Sequence, residues 1–319
     1  MGMIKAPRAE PGSRNVRTDR EPAQGRYRGV PSVGGVPDSV SGLAWVSRTA
    51  GQDPRAPDPR LDVRDIPAGS ASSFLRTNLL LVGLPGVDAE HLIDRSNRVH
   101  LERMTTLMTP GSPVNRVYFP ETGALAELIL MADGSAVEVG LVGWEGMVGW
   151  PAVFGSQVSQ TWVLCQTSGQ FLEMPATALA EAADRSSELH RRLHRHAAAV
   201  IGQRAISAAC DRHHDVVARC ARHLLAARDL GDNDELTLTH EFLALRLGVQ
   251  RPTVTVALSE LERLGAVTHR RGHVTVVSRV NLEEIACECY WAIRREVGRH
   301  LDWLPTSVQS WFSDAGRRT

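Results

Sequence analysis

Residues 238–277, LTHEFLALRLGVQRPTVTVALSELERLGAVTHRRGHVTVV, constrain the fold of this chain more than any other stretch. Thr239 is a good N-cap for a short helix through Phe242, Leu243, Leu245 and Leu247. Gly248 supplies its stop, because glycine takes positive φ without steric cost. A second helix is predicted from Arg251, with Pro252 in the first turn, where a missing N–H costs nothing. Val254, Leu258 and Leu261 recur at i, i+4 and i+7 as one apolar stripe. Arg251, Thr255 and Ser259 fall on another face, with Pro252, Val256 and Arg263 beside them. Gly265 ends the helix. Residues 267–268 and 274–277 then read as strands around a basic turn, His269 to His273. Helix, glycine turn, helix and basic hairpin is the order of a winged helix-turn-helix, a unit that lays its second helix in the major groove of DNA.

The candidate DNA contacts are Arg251, Pro252, Thr253, Thr255, Val256, Ser259 and Arg263 on the second helix, with Arg270 and Arg271 on the wing. Arg251 suits guanine O6 and N7 or a phosphate, and the Thr255 methyl and Val256 suit thymine methyls. The wing arginines, with Arg279 after them, suit phosphates. A winged helix can also serve protein contact, so a signalling or scaffold protein is the alternative reading. The chain has 319 residues and a formal charge of zero. That excludes a generally basic nucleic-acid coat but not a site-specific binder, which needs only a local basic patch.

No run of eighteen apolar residues is present and the first residues lack a signal-peptide core, so a cytoplasmic, membrane-free setting is expected. The odd count of 5 Cys does not suggest a disulfide framework. No nucleophile elbow, zinc-protease or phosphate-loop motif occurs, so no enzyme and no cofactor are expected.

Residues 1–70, rich in Pro, Gly, Arg, Ser and Asp, read as a disordered extension. Residues 75–180 start with a short helical segment. Strand-like pieces follow at 116–119, 124–131, 136–142 and 160–166, divided by turn residues, which argues for a sandwich or small barrel. Residues 186–211 read as one long helix. Leu189, Leu193, Ala197, Val200 or Ile201, Arg204 and Ala208 approximate a heptad seam for a two-fold dimer. Residues 212–280 hold a further helix and the winged unit, and 281–319 read as a helical extension. The fold class expected is α+β.

A small β barrel, a long helix and a C-terminal winged helix, in that order, resemble the Crp/Fnr family, that of the cyclic-AMP receptor protein and the oxygen regulator. The rhythm Leu247-Gly248, Arg251, Thr253-Val254, Leu258, Leu261-Glu262 and Gly265 carries the resemblance. It implies a double-stranded β-helix of the cyclic-nucleotide-binding, jelly-roll type, a dimerisation helix, and a homodimeric transcription regulator on a palindromic operator in double-stranded DNA. RNA polymerase and a small-molecule effector are the further partners it suggests. Two departures stand at the DNA end: Pro252 takes the family's Glu place and Val256 that of a second Arg, so the operator is expected to be unusual.

The sensing end departs further. The family's phosphate-binding glutamate falls near Trp150 and its arginine near Gln160, and no Arg or Lys occurs between Arg116 and Arg185. A cyclic phosphate would lack its counter-charge there, so cyclic nucleotides are not expected to bind in the family manner. Trp144, Glu145, Trp150, Phe154, Gln160 and Trp162 bracket this cassette. They read either as an apolar effector pocket or as plain core that has filled a lost site. No metal site is expected. Cys287-Glu288-Cys289 is too tight and too isolated for four ligands, and reads as helix packing. His190, His194, His196, His213 and His214 read as a solvated face.

Overall fold

The computed structural model describes residues 78–132, 136–231 and 234–313, so the extension at residues 1–70 lies outside the described residues. The first described element is α1 (Gly86–Ile93), which leads into a barrel of two antiparallel sheets. One sheet holds β1 (Asn97–Leu101), β7 (Gly169–Pro175) and β3 (Arg116–Pro120) in that order. The other holds β2 (Thr106–Met108), β6 (Trp162–Thr167), β4 (Ala124–Leu130) and β5 (Ala136–Val142). This is the jelly roll expected. Only four of these strands are marked in the sequence: β1 lies within the stretch that reads as a helical opening, and β2 and β7 go unmarked. Every position of β7 except Gln170 is at least half-buried, so the polar-out alternation that would mark a strand is largely missing.

The central strand β4 is covered on both faces. Leu125 joins Val142, Val163, Cys165 and Phe171 inside the barrel. Ala124, Ala126 and Leu128 join the core of the C-terminal domain instead. A strand's side chains alternate between faces, so one strand serves two cores, and the outward alanines let the neighbouring helices come close.

After α2 (Ala176–Arg185), Ser186 caps the long helix α3 (Ser187–His213), accepting from the Leu189 N–H at 3.1 Å. The chain breaks for two extended residues, His214 and Asp215. Asp215 then caps α4 (Val216–Leu230) through the N–H groups of Val217 and Ala218. Leu189, Leu193 and Val200 turn into the chain's own core, at 1%, 1% and 7% exposure, so they are not seam residues. The outward face carries His194, Ala198, Ile201, Ala205 and Ala208, itself spaced at alternating steps of four and three.

The winged unit comprises β8 (Glu235–Leu236), α5 (His240–Leu247), α6 (Arg251–Arg263), β9 (Val267–Arg270) and β10 (His273–Val276), followed by α7 (Arg279–Ile285). The extension beyond it forms α8 (Cys289–Arg299) and α9 (Thr306–Phe312). Helix α8 packs along α3. Leu301, Leu304, Val308 and Phe312 close over Leu79, Val82 and Trp144 of the barrel. Among the described residues no helix is long and apolar enough to cross a membrane.

Candidate nucleic-acid interface

The geometry of α6 follows from its two neighbours. Thr239 caps α5 by accepting from the Phe242 N–H at 3.1 Å, and Gly248, at φ 60°, ends it in the left-handed region. Three residues later Arg251 opens α6 with Pro252 in its first turn. Val254, Ala257, Leu258 and Leu261 are buried against α4 and α5. All nine residues singled out as DNA contacts are exposed: Arg251, Pro252, Thr253, Thr255, Val256, Ser259 and Arg263 on α6, and Arg270 and Arg271 at the wing. Val256 stands 69% exposed, an apolar side chain facing largely outward.

The outward face is already wired internally. Arg251 pairs with Glu241 at 2.9 Å, with both side chains more than 60% exposed. Thr255 Oγ1 lies 3.0 Å from His240 Nδ1. Arg263 pairs with Glu260, and Arg270 lies 3.1 Å from Glu235. Such exposed pairs are screened by solvent and hold weakly, so they would yield at little cost to a phosphate or base edge. Arg279, read from the sequence as a phosphate contact, is instead an internal tie. It reaches Asp229 at 2.7 Å, Glu283 at 2.6 Å and the Tyr290 hydroxyl at 2.7 Å. Glu283 lies one turn on in its own helix, Tyr290 comes from α8, and Asp229 comes from α4, fifty residues earlier.

The six residues read as an effector pocket do not come together. Trp144 is buried against Trp311 and Phe312 of α9, with ring centroids 5.3 and 6.0 Å away. Trp150 and Phe154 form a short 3-10 turn on the surface of the barrel, edge-on to His196 and His194 of α3. Gln160 is exposed, and the Trp162 indole N–H donates to Thr106 Oγ1 at 3.2 Å. What remains between cassette and α3 is a cavity of about 30 Å³, bounded by Glu145, Gly146 and His196 and closed by Val297, His300 and Leu301 of the extension. It has room for a water, not a nucleotide. Nor does α3 lend the cassette a cation, because Arg192 is bound to Glu188 and to the carbonyls of Leu80 and Val82, and Arg204 to Glu127.

The titratable groups of this cavity are buried without an opposing charge beside them. Burial pushes the Glu145 carboxyl up to about 7, and its Oε2 has no hydrogen-bond partner although the residue is only half-buried overall. Burial pushes His196 down to about 4, with its Nε2 3.3 Å from the Met147 carbonyl.

Comparison with known families agrees with this arrangement. The Crp-like helix-turn-helix domain matches residues 218–285, and the cyclic nucleotide-binding domain matches residues 98–186. The chain thus carries a cyclic nucleotide-binding domain followed by a Crp-like helix-turn-helix domain. Comparison with curated proteins finds no match. Among solved structures, the Crp/Fnr fold is shared with a putative regulator of the family from Eubacterium rectale, at 18% identity and TM-score 0.53, covering 63% of this chain and 94% of that one. FixK2 from Bradyrhizobium japonicum is 16% identical with TM-score 0.51, covering 60% and 98%. A CRP-family regulator from Thermus thermophilus is 22% identical with TM-score 0.50, covering 59% and 96%. The chain thus joins a cyclic-nucleotide-binding-type barrel to a Crp-like helix-turn-helix domain, in the fold that these Crp/Fnr regulators share.

Proposed function

We propose that this regulator acts as a homodimer joined along the outward face of α3, and that α6 of each protomer reads one half of a palindromic operator. The exposed, mixed face of α6 carries the reading. Arg251 supplies the one charged base reader, Thr255 and Ser259 hydrogen-bond, and Val256 meets thymine methyls. Arg270 and Arg271 take phosphates, fix the register and make binding salt-dependent. In a cytoplasmic setting the same dimer would present a surface to RNA polymerase.

Footprinting on genomic fragments at moderate salt tests this, with protection of a two-fold symmetric site as the expected result. In the same assay Arg251→Ala weakens specific binding about tenfold or more, while non-specific binding changes less. A folded protein without sequence-selective binding would return the winged helix to the alternative role, protein contact within a scaffold; the near-neutral face of Pro252, Thr253 and Val256 favours that second reading.

The signal is proposed to be something other than a cyclic nucleotide bound in the family manner. The cassette has neither a cation nor a nucleotide-sized cavity. Calorimetric titration with cyclic AMP is expected to give no stoichiometric heat; a tight one-to-one isotherm would overturn this.

A further inference from the structure

The pair Cys287 and Cys289, solitary in the sequence, has company in the fold. Cys210, in the last turn of α3, places its Sγ 3.5 Å from that of Cys287. His214, four residues on at the break between α3 and α4, places its Nδ1 3.7 Å from the Cys289 Sγ. The four ligand atoms all lie within 4.8 Å of one another. The three cysteines are buried at 0%, 6% and 7% exposure, with Ile206 and Ala218 packed against them. Three thiols converging with an imidazole nitrogen on one point do not resemble ordinary core packing.

The geometry points to a tetrahedral site for one zinc-class divalent cation, held by Cys210, His214, Cys287 and Cys289. Tetrahedral zinc, with bonds of about 2.3 Å to sulfur and 2.0 Å to nitrogen, keeps its ligand atoms roughly 3.5–3.8 Å apart. The two separations above match that spacing before any metal enters. An iron–sulfur cluster spreads its cysteines over several irons and would need the four groups to move apart.

The outer contact fits as well. His214 Nε2 lies 3.1 Å from Glu288 Oε2, and Glu288 sits between the two cysteines. With the Nε2 proton donated to that carboxylate, the Nδ1 lone pair is left for the cation, which is the usual support of a metal-bound imidazole. On binding, the three thiols release their protons to solvent and no electron changes hands. Such a cation would fasten the end of the dimer-seam helix, and the two-residue break that leads to the DNA-binding domain, to the start of α8.

The test is cobalt titration of the reduced, full-length protein, followed by zinc competition. The expected result is a tetrahedral thiolate–cobalt spectrum that saturates at one equivalent per chain and is bleached by zinc. Cys287→Ser or Cys289→Ser should abolish it, and Cys165→Ser, inside the barrel, should leave it intact. Glu288→Gln alters a side chain 70% exposed, too solvated to threaten the fold, and should weaken cobalt binding about tenfold through the loss of ring orientation. Reduced wild-type protein with no thiolate–cobalt spectrum would overturn the proposal, as would a spectrum that survives Cys287→Ser. A Cys210–Cys287 disulfide that, once reduced, leaves a protein unable to bind cobalt would also overturn it.

Discussion

At the scale of single residues, the groups that decide behaviour are those buried without compensation. His196 is held neutral, well below the ordinary histidine range. A histidine with a depressed folded pKa stabilises the fold above its unfolded pKa, near 6.5, and that contribution is lost as pH falls through about 4. The shift corresponds to about 3 kcal/mol across that window. Glu145 runs the other way, its raised pKa eroding stability as pH climbs from about 4.5 to about 7. The difference between wild type and His196→Gln, which keeps a donor for the Met147 carbonyl and does not titrate, isolates the histidine. Urea unfolding should show the variant gaining on wild type as pH drops from 6.5 toward 4; a constant gap would refute the assignment. None of this was legible in the sequence, where His196 stood in a run of His and Arg that reads as a solvated face. Its burial depends on Gly146 and Met147, some fifty positions earlier in the chain. The same limit hid the partners of Arg279 and the company of Cys287, because spacing along a chain reports neighbours only within one element.

At the scale of elements, local pattern served better. Helix α6 begins at Arg251 as expected, because its proline and its apolar stripe lie within one window. Helix α3 was legible as a helix but not in its facing. Leucines 189 and 193 drew the seam toward the larger side chains, yet the barrel claims those, and the free face is built of alanine around Ile201. In the proposed dimer this narrow alanine seam would bring two helices close together, with Ile201, 64% exposed, as its large apolar contact. Ile201→Glu should therefore give a monomer in sedimentation velocity with an unchanged helix content by circular dichroism. Persistence of the dimer would place the interface elsewhere.

At the scale of the whole molecule, the barrel and the helix-turn-helix domain are joined by more than a linker. Arg246 of α5 and Glu138 of β5 form a fully buried ion pair at 3.0 Å, beside the core that β4 shares with the DNA-binding domain. Burial pushes Glu138 up to about 7, against the pull of Arg246 and Arg222, so loss of Arg246 leaves a buried carboxylate with only the pull of Arg222 to hold it ionised. Arg246→Met is expected to cost about 3–5 kcal/mol at mildly alkaline pH, as for other buried charges stripped of a partner. The deficit should shrink at mildly acidic pH, where Glu138 can take up a proton, and should be largely restored by adding Glu138→Gln. Urea midpoints for the single and double variants decide this; an equal loss at both pH values would mean that the carboxyl is not the seat of the cost.

The double duty of β4 bears on how such regulators can be taken apart. A barrel expressed alone would show water a sheet face of Ala124, Ala126 and Leu128, and a winged domain expressed alone would lose the floor on which α4 and α5 rest. A chimaera that exchanged the DNA-reading half for another regulator's would inherit a mismatched joint unless β4 travelled with it.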